Sequence, residues 1–411
     1  MKKLQKWGIW AIVGVMILLV GVRIFSATTI PAFYGDEQKR ANTVADVLDG
    51  GEFQRKAFNF GGITYFVRTD AGFSSLPFLA PATAWAFFFG TSVVSLRIFV
   101  AIVITLALIL LAHTIALWYK RSRKVFLLAL VVGLTLPWLF LQGVLFWDTS
   151  FAPVAFIVAF YAFTKLKFAK DKPKVIHQIL LPLSLISAVY LYLPASIPAG
   201  VLYFGAIIYL KRKKIMQWKH VIVNLAMSIL MILPFVVFFL TFPNANTRSG
   251  QINVFYETDI FTGLGLFLEN VWKLVNPAFL FITGDGNRRH AIGMFGMLGI
   301  GAILPVVWAI YYRVKGYFTK NEKLLFVISL MAIGLATFTS ALTDPNSQPH
   351  SLRANAGAPF YVILIVLGAQ KFIEKHPKAV VPVYVMLGLG AIAYLVAFFW
   401  VYPQMDVEWF K

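Results

Sequence analysis

The sequence predicts an all-α polytopic membrane protein, a bundle of about eleven transmembrane helices with interfacial helices in its first outer loop. The first observation is composition. Of the 411 residues, 59% are hydrophobic and only 13% are charged, a balance typical of chains that cross a membrane many times. The second observation is that basic segments separate the apolar ones. The absence of cysteine from the sequence excludes a disulfide framework, a thiolate nucleophile and a cysteine-bound metal.

The positive charges predict which ends of the helices face the cytoplasm. Six segments carry 24 of the 37 Lys and Arg residues but only three of the 17 Asp and Glu residues. They are Met1–Lys6, Tyr119–Lys124, Lys165–Val175, Lys211–His220, Tyr311–Lys323 and Lys371–Lys378. Cytoplasmic loops of membrane proteins are enriched in Lys and Arg, so we assign these segments to the cytoplasmic side. The net charge of +20 then reflects membrane orientation, and nucleic acid is not expected as a partner.

The chain begins with an apolar segment, Trp7–Phe25, that we interpret as a retained membrane helix running outward. This stretch is longer than the apolar core of an ordinary signal peptide. Residues 26–95 then form the first outer loop. Within that loop, Ala41–Leu48 is predicted to be an amphipathic helix on the membrane surface, and Asp49–Gly51 ends it.

Leu76–Gly90, in the same loop, is apolar but too short to span. As a helix it would reach about 22 Å, whereas the hydrocarbon core is about 30 Å thick. If it crossed the membrane, the basic block Lys120–Lys124 would fall on the outer side. We therefore predict an interfacial or re-entrant helix.

The remaining predicted spans follow in order along the chain. They are Leu96–Trp118, Val125–Phe146, Phe151–Phe168, two spans within Ile176–Leu210 hinged near Pro194 and Pro198, Val221–Phe242, Ala291–Tyr312, Leu324–Leu342, Asn355–Lys371 and Ala379–Tyr402. Residues 243–290 form a second long outer loop that is rich in aromatic side chains. Because no internal repeat or separate soluble domain is evident, residues 1–411 are predicted to form a single transmembrane domain.

Three acidic residues on the predicted outer face are the candidate catalytic residues. Asp36 and Glu37 follow the first span, and Asp148 lies at a tight outer turn. A charge at bilayer depth costs about 3 kcal/mol, so such residues usually face a water-filled site. Structural alternatives remain: the acidic pair could begin a solvated interfacial helix, and Asp148 could cap the next span.

Basic residues gather on the same predicted face. The candidate phosphate ligands there are Arg97, Arg289, His290, His350 and Arg353. Carboxylates with His and Arg suit acid–base chemistry on a phosphorylated substrate, and Glu37 with His290 could instead bind a divalent metal ion. Alternatively, these side chains are a solvated charge run or anchors to lipid headgroups. His113 and His177, near predicted cytoplasmic helix ends, are interpreted as structural and topological residues.

The order of these features resembles the GT-C superfamily of membrane glycosyltransferases, especially the protein O-mannosyltransferase and aminoarabinose-transferase-like group, glycosyltransferase family 39. The matching stretches, in order, are Tyr34-Gly35-Asp36-Glu37, Leu76-Pro77, Phe89-Gly90, Ser95-Leu96-Arg97, Asp148, Gly284-Asp285, Arg289-His290 and His350-Ser351-Leu352-Arg353. Each motif is short, so their order and their shared side of the membrane carry the resemblance.

The resemblance implies a GT-C-type bundle that takes a sugar from a polyprenyl-phosphate-linked donor. The acceptor would be a glycan, a lipid or a protein on the non-cytoplasmic face of a bacterial cell membrane. Asp36 would be the general base for direct attack with inversion, with Glu37 and Asp148 also in the catalytic site. The Arg and His residues above, with or without a divalent metal ion, would hold the donor phosphate.

Two other functions remain open from the sequence. A transporter or flippase would keep charged residues near the bilayer midplane and often shows paired repeats. Here the charges cluster at one face, and only Pro194 and Pro198 hint at a broken helix. The other alternative is a non-catalytic member of the family that organises lipid-linked envelope precursors.

The charge distribution makes a topology prediction. Ser122 lies inside the basic block Lys120–Lys124, so Ser122→Cys should resist a membrane-impermeant maleimide applied to intact cells. Gly90→Cys, on the outer side, should react. The chain has no native cysteine, so each signal reports one position. Outside labelling of the Ser122→Cys protein would refute the predicted orientation.

Overall fold

The computed structural model describes residues 14, 17–28, 34–50, 57–69, 72–169, 174–242, 245, 253–343 and 350–405. Most of the predicted first span, Trp7–Phe25, lies outside these residues, and its described end forms helix α1, Ile17–Ser26. The other helices are α2 Gly35–Leu48, α3 Leu76–Phe89, α4 Val93–Trp118, α5 Arg123–Thr135, α6 Pro137–Gln142, α7 Ala152–Lys167, α8 Val175–Leu191, α9 Ser196–Arg212, α10 Trp218–Thr241, α11 Ile260–Val275, α12 Ile303–Val314, α13 Lys320–Leu342, α14 Ala358–Lys375, α15 Val380–Val396 and α16 Tyr402–Met405.

The described chain is a helical membrane protein, as predicted. Seven of its helical segments are long and apolar enough to cross a membrane. Four shorter apolar helices accompany them: Ile17–Ser26, Leu76–Phe89, Val175–Leu191 and Ile300–Val314. The all-α membrane fold is therefore confirmed, whereas these lengths do not establish the predicted number of eleven spans.

The long helices form a bundle with two chemically different ends. At one end, Trp118 of α4 donates to Thr164 of α7 (3.0 Å), and Lys371 of α14 pairs with Glu322 of α13 (2.8 Å). The basic blocks Lys120–Lys124 and Lys211–Lys214 follow helices that finish there, so we call it the basic end. The other end holds the start of α4, the start of α7 and the start of α14, and we call it the site end.

The predicted span Val125–Phe146 is broken into α5 and α6 at Leu136 and Pro137. A buried arginine of α1 satisfies carbonyl groups beside the break. Arg23 donates to the carbonyl oxygens of Leu134 (3.1 Å) and Leu139 (2.7 Å). Carbonyl groups left without partners at a helix end need such donors. The break ends the helix early and lets the following segment turn towards the site end.

The first outer loop contains helix α2, which ends at Leu48 as predicted but begins at Gly35 rather than Ala41. It also contains a small antiparallel sheet that the sequence pattern did not predict. Strands β1 Ala57–Phe60, β2 Ile63–Thr69 and β3 Gly72–Ser75 pair in that order. Their aromatic side chains attach the sheet to the bundle, because the Phe66 ring lies 4.1 Å from that of Phe238 on α10. The sheet leads directly into α3.

Two expectations about the second long loop were wrong. The predicted span Ala291–Tyr312 becomes helical only at Ile300, because positive backbone φ angles at Gly293 and Gly299 favour irregular structure before it. Within residues 243–290 lies an unforeseen helix, α11. One side of α11 packs on α13, where Asn270 donates to the carbonyl oxygen of Ala341 (3.1 Å).

Close packing of α12 against α14 predicts a sensitive glycine. A Cβ atom at Gly368 would lie 1.8 Å from the carbonyl oxygen of Pro305, so Gly368→Ala should force the helices apart. We expect a loss of about 1–3 kcal/mol of stability, measured by thermal unfolding in detergent. Gly334→Ala on α13 is the control, because no neighbouring atom lies within 4 Å of its added Cβ. Equal unfolding temperatures for the two variants would contradict this packing.

Candidate functional site

The acidic pair lies in the first turn of α2, where the helix dipole favours negative charge. Glu37 turns back and accepts a hydrogen bond from the backbone N–H of Tyr34 (3.1 Å). This is the carboxylate half of a capping box. Asp36, one residue earlier, points to a different side of the helix. The local helix geometry therefore gives two adjacent carboxylates two different environments.

Glu37 is fully buried and forms an ion pair with Arg97 of α4, which is also fully buried. Arg97 donates from Nε to Oε1 (3.0 Å) and from Nη2 to Oε2 (2.6 Å). The backbone N–H of Phe146 also donates to Oε1 (2.7 Å). Each carboxylate oxygen therefore has at least two donors, as a buried charge requires. This geometry joins α2, α4 and the segment after α6.

Asp36 remains partly exposed. Its Oδ2 accepts a hydrogen bond from the hydroxyl of Tyr34. Burial, followed by this contact with Asp36, raises the pKa of Tyr34 well above its ordinary value. The phenol therefore stays protonated at neutral pH and keeps donating to Asp36. This contact orients one carboxylate oxygen at the surface of the site.

Asp148 forms an ion pair with Arg40, a residue that the sequence analysis did not select. Nη2 of Arg40 lies 3.0 Å from both carboxylate oxygens. Arg40 stands one helical turn after Asp36 on α2, and its Nη1 donates to the main-chain oxygen of Asp36 (3.2 Å). The two acidic positions are thus connected through one guanidinium group.

A second cluster joins the two later loops. Asp285 Oδ2 lies 3.1 Å from Nδ1 of His290 and accepts from both the N–H and the hydroxyl of Ser351, each at 2.8 Å. Burial opposes the charged form, but the hydrogen bond and charge of His290 outweigh it and lower the pKa of Asp285. Asp285 therefore remains ionised and holds the loop before α12 against the loop before α14.

His350 lies beside this cluster, with its ring centroid 4.5 Å from that of His290. Burial, and then the charges of His290 and Arg353, lower the pKa of His350 far below its ordinary value. The imidazole is therefore neutral at physiological pH. Its buried Nδ1 atom has no hydrogen-bond partner among the described residues, and neither has Nη1 of Arg353.

Trp147 connects the two clusters. Its ring centroid lies 5.6 Å from that of Tyr34 and 5.9 Å from that of His290. The guanidinium of Arg289 lies 5.1 Å from the Tyr34 ring centroid. The predicted residues Asp36, Asp148, Arg289, His290 and His350 are therefore gathered at one end of the bundle. Arg353 lies three residues after His350, and its backbone N–H donates to the carbonyl oxygen of His350 (3.0 Å).

Several donors in this region lack an acceptor. They are Nε of Arg40, Nε1 of Trp147 and Nη1 of Arg353, all buried and without partners among the described residues. A buried donor without a partner costs about 1–3 kcal/mol. Such groups are usually retained where a ligand or water satisfies them. Two arginines and an indole are well suited to binding an anion such as phosphate.

The described residues do not fit the divalent metal site predicted from Glu37 and His290. Among them, no group of three or more His, Asp and Glu side chains is arranged to hold a metal ion. Glu37 is engaged by Arg97 and two backbone N–H groups, and His290 faces Asp285. We therefore derive no chemical step from a metal.

No known family model and no curated protein matches the sequence, but solved structures do. ArnT from Cupriavidus metallidurans bound to undecaprenyl phosphate aligns with a TM-score of 0.52 and 11% identity, over 94% of this chain and 69% of that chain. Its apo structure gives the same TM-score and identity, over 65% of that chain. The oligosaccharyltransferase of Archaeoglobus fulgidus, tethered to an acceptor peptide containing the NVT sequon, aligns with a TM-score of 0.51 and 11% identity, over 96% of this chain and 54% of that chain.

These structures are GT-C glycosyltransferases. Their alignment over most of the chain shows that the protein has the GT-C fold, which confirms the fold class and the resemblance inferred from the order of its motifs. The chain spans about two thirds of the length of ArnT and about half that of the oligosaccharyltransferase.

The buried pair predicts a large effect of one conservative change. Glu37→Gln keeps the shape but removes the carboxylate charge that faces the buried Arg97, so we expect a loss of about 3–5 kcal/mol. Thermal unfolding in detergent measures it. Glu269→Gln is the matched control, since its pair with Lys273 is substantially exposed and its loss should cost less than about 1 kcal/mol. Similar effects of both changes would refute the importance of the buried pair.

Proposed function

We propose that the protein is a membrane glycosyltransferase that moves a sugar from a polyprenyl-phosphate-linked donor to an acceptor hydroxyl. One observation carries the proposal. At the site end of a GT-C fold, the partly exposed carboxylate of Asp36 lies near buried cationic and indole donors that lack acceptors. A base beside an anion-binding region is the combination that this reaction requires.

The unpartnered donors define the proposed phosphate site. Arg40, Trp147 and Arg353 each offer a buried N–H to a phosphate oxygen. The donor is a phosphodiester, and cleavage of its bond to the sugar leaves an additional negative charge on the lipid phosphate. Fixed donors aimed at the developing charge stabilise the transition state more than the ground state. Arg289, above the Tyr34 ring, adds positive charge at the same place.

Asp36 is the proposed general base. Its carboxylate accepts the proton of the acceptor hydroxyl while the acceptor oxygen attacks the anomeric carbon of the sugar. The bond between that carbon and the phosphate oxygen breaks, and the electron pair leaves with the lipid phosphate. Attack from the face opposite the leaving group inverts the configuration. The hydrogen bond from Tyr34 holds one carboxylate oxygen so that the other can receive the proton.

Asp148 and Glu37 are assigned to positioning. Both oxygens of Asp148 contact Nη2 of Arg40, so accepting a proton there would disrupt an ion pair. That contact instead directs Arg40 towards the phosphate. The buried ion pair between Glu37 and Arg97 fixes the start of α2 against α4. Under this assignment Arg97 supports the site without touching the donor, in contrast to its predicted role as a phosphate ligand.

The membrane interior offers room for an apolar chain. A cavity of about 170 Å³ lies between α7, α8, α9, α13 and α14, and its lining is almost entirely apolar. Burial of each CH₂ group stabilises a hydrocarbon chain by about 0.8 kcal/mol. One of the structural neighbours binds undecaprenyl phosphate. These observations support a donor whose lipid remains in the membrane while its phosphate reaches the site end.

The sidedness and the acceptor complete the proposal. The charge of the basic end supports its assignment to the cytoplasm, and we propose that the site end faces outward from a bacterial cell membrane. The acceptor is a lipid, a glycan or a protein. An acceptor peptide is tethered to the archaeal oligosaccharyltransferase, so a GT-C site can face a polypeptide.

The proposal predicts that Asp36→Asn abolishes the base while retaining the shape of the side chain. Sugar transfer should fall by about 10²- to 10⁴-fold, measured with purified protein, a radiolabelled polyprenyl-phosphate sugar and membrane extract as acceptor. Donor binding should persist. Asp46→Asn, on the exposed side of the same helix, is the control and should transfer at the parent rate. Unchanged transfer by the Asp36→Asn protein would reject Asp36 as the base.

A further inference from the structure

Helix α7 carries a recessed strip on the outside of the bundle. Val154, Val158, Tyr161 and Lys165 are partly exposed, whereas most of the intervening residues of α7 are buried. Their spacing of three to four residues places them on one face. Helices α4 and α8 both pack against α7 and carry the exposed side chains Leu106 and Leu183 respectively. The strip therefore has an apolar part towards the site end and a polar part towards the basic end.

Two histidines flank the polar part of this strip. The ring of His113 on α4 lies 6.5 Å from the ring of Tyr161, and the ring of His177 on α8 lies 5.9 Å from it on centroid distances. Nζ of Lys165 lies 5.8 Å from the same ring centroid. His113 is exposed although it stands in a membrane helix. Four polar side chains from three helices thus surround one point.

The electrostatic environment of this point is positive. His113 has Coulombic interactions with Lys165 and Arg121, and His177 has Coulombic interactions with Lys165 and Lys174. Each of these named neighbours is a cation. His113 lies five residues before the end of α4, about 8 Å along the axis. The group therefore lies at the depth where a lipid headgroup meets the hydrocarbon.

We propose that this strip binds an anionic phospholipid of the leaflet at the basic end. Lys165, His113 and His177 contact the lipid phosphate, and Tyr161 lies at the headgroup level that its amphipathic ring favours. One acyl chain follows Val154 and Val158 along α7. Charge complementarity selects the occupant, since each cation near an anionic membrane surface contributes about 1 kcal/mol. The site stands apart from the proposed transfer site and does not depend on it.

Native mass spectrometry of the full-length protein in detergent tests the proposal. The protein is incubated with equal amounts of phosphatidylglycerol and phosphatidylcholine. We expect one phosphatidylglycerol to be retained in clear preference. Lys165→Gln and His113→Gln should each lower its occupancy several-fold. Lys213→Gln removes an equal charge from an exposed position at the same end and should leave occupancy unchanged.

Other outcomes would overturn the site. Equal loss in the Lys213→Gln protein would indicate diffuse attraction between the basic end and anionic lipid. Equal retention of both lipids would show that the headgroup is not recognised. Displacement of the lipid by glycerol phosphate at the same concentration would indicate a site for a free phosphate. Unfolding temperatures of the variants are measured alongside. Lys165→Arg keeps the positive charge, so this variant should retain the preference for phosphatidylglycerol, and loss of that preference in the Lys165→Arg protein would also count against the site.

Discussion

The buried pair between Glu37 and Arg97 is the constraint on which the site end depends. It places two charges beyond the reach of water, and such charges persist only where every oxygen has a donor. Phe146 and Tyr34 supply the remaining backbone donors. The start of α2, the first turn of α4 and the segment after α6 are thereby fixed relative to one another. The functional groups nearby are built on this frame.

Because of this buried pair, the adjacent residues Asp36 and Glu37 have different environments and different proposed roles. The sequence shows Asp36 and Glu37 as one acidic pair, and the helix geometry separates them by about 100°. One carboxylate is fully buried and neutralised, and the other is partly exposed beside a protonated phenol. Asp148 is likewise separated from solvent by its contact with Arg40. Environment, rather than residue type, distinguishes the proposed base from its supports.

The sequence predicted the long helices and the side on which polar residues gather, because hydropathy and charge are local properties of a segment. It also predicted the second half of α2, Ala41–Leu48, and named several residues that the structure brings to the site end. It could not predict contacts between distant segments. Arg23 was inconspicuous because its partners are carbonyl oxygens 111 and 116 residues away. Arg40 stood one turn from Asp36, yet nothing local indicated Asp148 as its partner. The unpartnered N–H donors of Arg40, Trp147 and Arg353 could be identified only from the three-dimensional structure, which shows that these atoms are buried.

The bridge formed by Asp285 has a consequence for the order in which the protein is made. A ribosome completes α2 and α4 early, so Glu37 and Arg97 can meet while most of the chain is unsynthesised. Asp285 must wait for Ser351, 66 residues later, before its loop has a partner. The cluster of Asp285, His290 and Ser351 therefore forms last, after α13 has entered the membrane. A nascent chain stalled before that point holds its carboxylates in place without the loop that completes them.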